Sequence, residues 1–322
     1  MKIGQHSHAL EMLQDEVGGL MATGDYLCSE IIQEKDGSTM LAIVIEQQKD
    51  QTLEKARFEK SRSETWPLQD EVWAYQLSVG LRSVVSTLRK MHSQGWVHQD
   101  VKPKNIMIPD DPDEASLTHL IDFGTARRDG AVRTAHSDTI MGTLGYILPE
   151  THGCLDVDLR IRDYWAAMVS VAYAARLIKM GKLDIHETSF ELMDGTFFVT
   201  DDLLNKKSRD AFFKKNEIGG PHRGFLQWLY DFIQPNMSMS ARQVFWQGNG
   251  ITEFKTLSVR KKQGSEMIQT EMSDLFFNDD KFVAELEGHI RGLAEQAGIE
   301  IPDGMIESFQ EFPAEAQAIE KL

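Results

Sequence analysis

The sequence of 322 residues predicts an α+β fold in which a short strand-rich region precedes a larger, mostly helical one. Three observations support this prediction. Two β-prone runs, 26–33 and 40–47, flank a spacer that contains the turn-forming pair Asp-Gly. Apolar residues then recur at helical spacing over 73–91. The apolar run 164–175 has the length and composition of a helix buried in protein.

The elements between these landmarks follow from local signals. The helix over 73–91 is predicted to end at Gly95, because glycine is the usual residue just past a helix end. Residues 97–108 are predicted to form a tight loop that leads into a short strand, and 119–124 a second short strand that ends in a turn. Residues 125–150 lack periodicity and contain several glycines, which is typical of a long surface loop.

Helical patterns resume from Asp163, and the chain changes character near residue 248. We therefore place a boundary there, so that residues 249–322 form a C-terminal extension. The extension is predicted to contain one amphipathic helix, which packs against the larger helical region because an apolar stripe normally needs burial, or alternatively binds a partner. The residues of that stripe are Phe282, Leu286, Ile290 and Leu293.

The composition restricts the classes of protein to which the chain can belong. Hydrophobic residues make up 41% and charged residues 26% of the chain, as in globular proteins. The run 164–175 is too short to cross a bilayer, and the N-terminus resembles no secretion signal. The two cysteines, Cys28 and Cys154, indicate a reducing compartment. We expect a cytoplasmic protein without a membrane partner, and the nucleus stays open as an alternative location.

The net charge of −16 is concentrated near the C-terminus. Residues 265–322 hold fourteen acidic residues against Lys281, Arg291 and Lys321. A chain with this charge repels phosphate backbones, so we predict no nucleic acid partner.

The segment 96-WVHQDVKPKNIMI-108 contains the residues that carry the chemistry. It places Asp100, Lys102 and Asn105 within six residues, and Asp122 follows seventeen residues after the asparagine. Phosphoryl transfer needs cations and fixed oxygen ligands for Mg²⁺ around the transferred group, and a carboxylate that orients the attacking hydroxyl. An ordered set of these four residue types is far more specific than any one of them.

Four segments resemble the protein kinase family, in the family's order and at its usual spacing. They are 98-HQDVKPKN-105, 122-DFG-124, 142-GTLGYILPE-150 and 163-DYW-165, and the resemblance covers about residues 1 to 245. A lysine two residues after the aspartate, with Thr125 after the DFG segment, is similar to serine/threonine kinases and not to tyrosine kinases. Gln99 replaces the arginine that usually precedes the aspartate, which implies a non-RD kinase and regulation by means other than a phosphate on the activation segment.

The resemblance implies a role for each residue of the motifs. Asp100 would be the catalytic base that holds the substrate hydroxyl, and Lys102 would neutralise the γ-phosphate of ATP. Asn105 and Asp122 would hold the magnesium ions. Thr143 would tie the substrate-binding loop to Asp100 and Lys102.

Three further residues have structural roles by the same resemblance. Phe123 would pack against His98 in a hydrophobic stack that senses the active state. Asp163 would anchor the backbone of the catalytic loop from the buried helix.

The adenine site is assigned from the second β-prone run, 40–47. If 40–47 were the strand that carries the ATP-binding lysine, Val44 and Ile45 would stand where the lysine is needed. The run therefore resembles the strand that enters the hinge between the lobes. Ile45 would then be the gatekeeper, Glu46 and Gln48 would offer backbone groups to adenine, and Met107 would lie beneath the base.

On this alignment Met1-Lys2-Ile3 resembles the end of the lysine strand, with Glu16 as the paired glutamate fourteen residues on. Alternatively, Lys2 is an ordinary second residue. Gly18 and Gly19 make a helix through this region costly, by about 1 kcal/mol each relative to alanine. The chain resembles a kinase truncated before the glycine-rich loop, with a partial small lobe at 1–48 and a large lobe at 49–248. A longer domain or a partner chain would complete the small lobe, or the protein would work with an incomplete one.

The leading functional hypothesis is a serine/threonine protein kinase that uses ATP and Mg²⁺ and acts on a protein substrate. The alternative is a pseudokinase that binds partners as a scaffold, and a small-molecule phosphotransferase is a weaker possibility because the GTxxYxxPE segment favours a protein substrate. Arg127, Arg128 and Arg133 would attract acidic substrates or would simply be solvated.

Overall fold

The computed structural model has the predicted α+β fold, with most of its described residues in helices. None of the helices in the described part is long and apolar enough to span a membrane. The residues that the structure describes are 16–23, 26–33, 39–45, 50–60, 70–128, 132–133, 142–143, 145–148, 156–180, 197–199, 206–215, 217–233, 239–263, 266–302 and 305.

The region before residue 50 contains a helical segment at residues 16 to 23 and the predicted hairpin. Strands β1 (Tyr26–Gln33) and β2 (Thr39–Ile45) pair antiparallel, with Gln33 opposite Thr39 and Tyr26 opposite Ile45. Among the described residues these two strands pair only with each other.

The long helix agrees with its sequence signals. After β3 (Gln51–Thr52) and α1 (Leu53–Lys60), helix α2 spans Glu71–Ser93. It begins where the Asp70 carboxylate accepts a hydrogen bond of 2.8 Å from the backbone N–H of Trp73. This bond satisfies one of the first-turn N–H groups that have no acceptor within the helix. It ends just before Gly95, whose φ of 79° takes the chain out of the helix.

Short strands connect the long helix to the candidate site. Strand β3 pairs antiparallel with β5 (Ile106–Ile108), and β5 pairs antiparallel with β6 (His119–Leu120). Separately, β4 (Trp96–Val97) pairs antiparallel with β7 (Arg127–Arg128). The predicted strands after the tight loop and at 119–124 are thereby confirmed. A further short strand, β8 (Val132–Arg133), belongs to another sheet.

The buried helix α3 spans Leu159–Ala174, so it begins one turn before the predicted start at Asp163. The reason is the cap: the Asp158 carboxylate, at the end of β9 (Asp156–Asp158), accepts a hydrogen bond of 3.0 Å from the backbone N–H of Arg160. The remaining elements of the large lobe are β10 (Ile178–Met180), β11 (Phe197–Val199), α4 (Lys206–Lys215), α5 (Gly220–Ile233) and α6 (Met239–Gly248).

The C-terminal extension contains a hairpin that the sequence analysis missed. Strands β12 (Thr252–Gln263) and β13 (Glu266–Phe277) pair antiparallel along their whole length. Strand β13 also pairs in parallel with β9, and β9 pairs with β8, so that one sheet runs in the order β12-β13-β9-β8. The extension is therefore joined by backbone hydrogen bonds to the segment that follows the DFG motif.

Helix α7 (Asp279–Ala297) is the predicted amphipathic helix, and it packs on the large lobe. Arg82 and Arg89 of α2 form ion pairs with Glu287 and Asp280, at 3.3 and 2.8 Å. The domain boundary at 248 stays a prediction. The residues of the predicted stripe, Phe282, Leu286, Ile290 and Leu293, are all fully buried.

The two glycines near the N-terminus lie in a helix, although their propensity disfavours one. A Cβ atom built on Gly18 would overlap the Trp96 indole, and one on Gly19 would lie 2.9 Å from the Cβ of Ala126 and 3.2 Å from that of Phe123. The expectation of a costly helix was incomplete, because it omitted the close packing that only glycine permits here.

We expect Gly18→Ala to destabilise the protein by about 1–3 kcal/mol, because the added methyl group forces the buried Trp96 ring or the helix to move. The matched control is Gly288→Ala in α7, where no atom lies within 4 Å of the new Cβ. It should stabilise the protein by about 0.5–1 kcal/mol, because glycine is a poor helix former. Urea denaturation measures both changes, and equal effects at the two positions would contradict the packing account.

Candidate active site

The catalytic loop is anchored by one buried carboxylate. Asp163 of α3 accepts hydrogen bonds of 2.8 Å from the backbone N–H groups of both His98 and Gln99. His92, near the end of α2, lies 2.9 Å from the same carboxylate. The anchor holds Gln99 in the left-handed region at φ 68°, which costs energy for a residue with a side chain. The expected role of Asp163 as an anchor agrees with this geometry.

Burial perturbs two groups of this anchor. Burial alone would raise the pKa of Asp163, but the hydrogen bond and charge of His92 and the contacts with His98 outweigh it and hold the pKa below its usual range. Burial lowers the pKa of His98, although the neighbouring carboxylates oppose the shift. The Asp163 carboxylate that anchors the loop is therefore ionised, and the imidazole of His98 in the loop is neutral.

Asp100, Lys102 and Thr143 form a closed triangle of polar contacts. The Lys102 ammonium donates to the Asp100 carboxylate at 2.6 Å and to the Thr143 hydroxyl at 2.8 Å. The Thr143 hydroxyl in turn donates to the other Asp100 oxygen at 2.7 Å. The structure thus brings together three residues that are up to 43 positions apart. Their assigned roles stay predictions.

Asn105 is held against the same carboxylate. It ends the 3₁₀ turn Pro103–Asn105, and its side-chain N–H₂ donates to the Asp100 backbone carbonyl at 2.9 Å and to the Asp100 carboxylate at 3.3 Å. Because the amide nitrogen faces Asp100, the amide oxygen is the atom that remains to act as a metal ligand.

Asp122 is brought beside Asn105 by the β5–β6 pairing. The hydrogen bonds between these two segments end where the backbone N–H of Ile121 donates to the Asn105 carbonyl at 2.9 Å. Asp122 is the next residue. Asp122 has a φ of 63° and an exposed position, so its backbone leaves the strand at this point. The two predicted metal-binding residues therefore lie on neighbouring chain segments.

These donors fit magnesium. Mg²⁺ prefers hard oxygen ligands, and it usually takes one or two carboxylates and completes its shell with water and phosphate oxygens. The amide oxygen of Asn105 and the carboxylate of Asp122 meet that demand. The described residues contain no cluster of three or more His, Cys, Asp or Glu side chains that could hold a metal ion.

The DFG segment packs as expected. The ring centroids of Phe123 and His98 lie 5.1 Å apart, which is the predicted stack. The helical segment that begins at Glu16 contacts this region, because Gly19, one turn on, lies against Phe123. Glu16 is thus carried on a helix next to the DFG segment. Its proposed partner, Lys2, lies outside the described residues.

The adenine site is described only in part. Met107 is buried in the middle of β5, on the face opposite Ile106 and Ile108, which belong to the main core. Ile45 is the last residue of β2 and pairs with Tyr26. Glu46 and Gln48 lie outside the described residues, so the hinge contacts stay predictions.

Sequence reasoning missed two residues that shape the site. His92 supports Asp163, and its position at the end of α2, beside otherwise apolar positions, was the available signal. Gly142 has a φ of 113°, and a Cβ there would lie 2.5 Å from the Gln99 carbonyl oxygen. A side chain at this position would push the Thr143 loop away from the catalytic loop.

Comparisons with known proteins agree with this geometry. The family model for the protein kinase domain matches residues 20–228. A probable serine/threonine-protein kinase of Dictyostelium discoideum is 39% identical over 92 residues, which are 27% of this chain and 18% of that protein. Serine/threonine-protein kinase PknL of Mycobacterium tuberculosis is 43% identical over 70 residues, 22% of this chain and 16% of the relative.

Serine/threonine-protein kinase D of Synechocystis is 36% identical over 95 residues, 28% of this chain and 17% of the relative. The chain spans less than a fifth of the length of each of these curated relatives. The family model, by contrast, covers well over half of the chain and includes the catalytic loop, the DFG segment and the anchor Asp163. The chain belongs to the protein kinase family.

Proposed function

We propose that this chain is a serine/threonine protein kinase that transfers the γ-phosphate of ATP to a hydroxyl group of a protein substrate. The observation that carries the proposal is the Asp100 carboxylate, which is held by Lys102 and Thr143 at 2.6 and 2.7 Å and flanked by Asn105. The names of the relatives support the serine/threonine assignment.

Each side chain has a defined task in this reaction. Asp100 orients the substrate hydroxyl and accepts its proton as the oxygen attacks phosphorus, while the Lys102 ammonium faces the negative charge of the phosphate. Thr143 fixes the Asp100 carboxylate on the side away from Asn105, so that the base keeps one orientation. When bound, Mg²⁺ neutralises charge on the phosphate oxygens, and Asn105 and Asp122 would hold it.

The first test is binding of nucleotide. We expect ATP with Mg²⁺ to raise the melting temperature of the protein, because a ligand at 100 times its Kd stabilises the folded state by about 2.7 kcal/mol. Asp122→Ala should remove the Mg²⁺-dependent part of this shift, because it deletes one oxygen ligand of the metal.

The matched control is Asp113→Ala, which removes an exposed carboxylate from the 3₁₀ turn Pro112–Leu117. It should leave the shift unchanged. A wild-type protein that shows no shift with ATP and Mg²⁺, and no phosphorylation of any protein hydroxyl, would contradict the proposal and favour the pseudokinase alternative.

A further inference from the structure

The C-terminal extension reaches the anchor of the catalytic loop through a buried aromatic side chain. Phe277 is the last residue of β13, and its ring is stacked on the ring of Tyr164 in α3. The ring centroids lie 4.5 Å apart, and the planes are inclined by 23°. Tyr164 directly follows Asp163 in the sequence. The extension therefore contacts α3 next to the carboxylate that holds the loop.

From Tyr164 the contacts continue to Asp163 through His92. The His92 ring packs edge-on against the Tyr164 ring, with the centroids 5.3 Å apart. Its Nε2 lies 2.9 Å from the Asp163 carboxylate. That carboxylate accepts the two backbone N–H groups that immediately precede Asp100, both at 2.8 Å. A continuous series of direct contacts thus joins the extension to the proposed catalytic base.

Phe277 is held by its backbone as well as by its ring. Its N–H donates to the Asp158 carboxylate at 3.4 Å, and the same carboxylate caps the first turn of α3. Strand β13 pairs with β9 just before this point. Arg160 adds a second link, because it forms ion pairs with Asp158 at 2.5 Å and with Asp279 at 3.6 Å. The end of β13 is therefore fixed against the start of α3.

The Tyr164 side chain is also held by α7. Its hydroxyl donates to the Asp279 carboxylate at 3.4 Å, and burial raises the pKa of Tyr164, so that the hydroxyl keeps its proton. Phe282 packs on the rings of both Tyr164 and Phe277, with each pair of centroids 5.5 Å apart. Because protein interiors are close-packed, a displacement of the extension shifts the Tyr164 ring and the His92 ring against it.

We propose that Phe277 is a positioning residue for the kinase reaction. Through the rings of Tyr164 and His92 it fixes the carboxylate that anchors the catalytic loop, and thereby the orientation of the Asp100 base. This inference rests on the proposed kinase function and assigns part of it to the C-terminal extension. The role differs from a contribution to stability, because a catalytic group misplaced by about 1 Å can lower the rate about 10²-fold in a protein that stays folded.

The test is Phe277→Leu in the full chain, which removes the ring but keeps a bulky apolar side chain in the core. We expect kcat for phosphate transfer to a serine peptide to fall about ten-fold or more, with KM for ATP and for the peptide within about threefold of the wild type. The rates are measured at a temperature at which the melting curve of each variant shows it to be folded. A folded Phe277→Leu variant with the kcat of the wild type would overturn the proposal.

The matched control is Leu293→Ala, which creates a cavity at another buried position of the extension. Leu293 lies fourteen residues after Asp279, about 21 Å further along the axis of α7. This variant should lower the melting temperature at least as much as Phe277→Leu does and leave kcat unchanged. If both variants lose the same fraction of kcat, the extension acts through stability alone and the proposal is wrong.

Tyr164→Leu tests the route from Phe277 to the loop. If Phe277 acts through the Tyr164 ring, the double variant should lose about as much kcat as Tyr164→Leu alone, because the second change removes a contact that the first has already broken. Losses of kcat that multiply would show two independent effects and would count against the proposal.

Hydrogen exchange of backbone amides separates this inference from the kinase function. In Phe277→Leu the N–H groups of His98 and Gln99 should exchange about ten-fold or more faster relative to the amides in the middle of α3, whereas Leu293→Ala should leave that ratio unchanged. The comparison needs no phosphate transfer, so support of the loop by Phe277 stands on this result even if the wild type is inactive. If the ratio is unchanged in Phe277→Leu, the positioning role is wrong even where the wild type is a fully active kinase.

Discussion

Asp100→Asn is expected to lower kcat for phosphoryl transfer by a factor of about 10²–10⁴ while the protein remains folded. Asparagine has the same shape and still accepts a hydrogen bond from Lys102 through its amide oxygen, while its N–H₂ group would donate to the Thr143 hydroxyl in place of accepting from it. It cannot take a proton from the substrate hydroxyl, and its neutral amide orients the hydroxyl less firmly than a carboxylate does. The loss should therefore appear in kcat and not in nucleotide affinity.

The measurement is the rate of phosphate transfer to a serine peptide at saturating ATP and Mg²⁺, together with the melting temperature and the shift caused by nucleotide. Asp113→Asn, the same replacement at an exposed carboxylate, should keep full activity. A reduction of less than about threefold in Asp100→Asn would show that Asp100 is not the base. A loss of activity accompanied by a lower melting temperature would show a structural defect instead.

Asp163→Ala is expected to destabilise the protein by about 3–5 kcal/mol. The Asp163 carboxylate is almost fully buried and holds the backbone N–H groups of His98 and Gln99 as well as the ring of His92. Its removal leaves those donors buried without an acceptor, and each such group costs about 1–3 kcal/mol. The strained Gln99 backbone would also lose the bond that holds it.

Urea denaturation of Asp163→Ala and of the milder Asp163→Asn measures this effect. The control is Asp280→Ala, which breaks an ion pair whose carboxylate is 89% exposed and should change stability by less than about 1 kcal/mol. Equal losses in the buried and the exposed variants would contradict the assignment of Asp163 as the anchor of the loop.

The pH dependence follows from the directions of the pKa shifts. Because the pKa of Asp163 is lower in the folded state, its contribution is complete above the ordinary carboxyl pKa of about 3.9 and is lost as the pH falls through the folded value. Because the pKa of His98 is also lowered, the unfolded state binds that proton first, so stability already decreases below about pH 6.5. The Asp163→Asn variant should still lose stability below about pH 6.5 because of His98, but it should lack the loss at lower pH that comes from Asp163.

The sequence alone was sufficient for the fold class and the main helices, and it predicted a set of site residues of which the structure brings Asp100, Lys102, Asn105 and Thr143 together. Asp100, Lys102 and Asn105 lie within six residues, and the loop that contains them has a contiguous motif. The helices α2 and α7 were predictable because each buries one face, so that the period of the apolar residues appears directly in the sequence. Contiguous or periodic signals of this kind depend little on what the segment later contacts.

The tertiary structure decided the features that depend on contacts between distant segments. The helix over Gly18 and Gly19 is possible because its glycines lie against Trp96 and Phe123, and local propensity alone argues against it. The β12–β13 hairpin pairs onward with β9 and β8, and the ion pair of Lys102 with Asp100 is completed by Thr143 from a distant part of the chain. Packing, strand pairing and local charge are properties of residues that meet only in the folded chain, so no single stretch of sequence contains them.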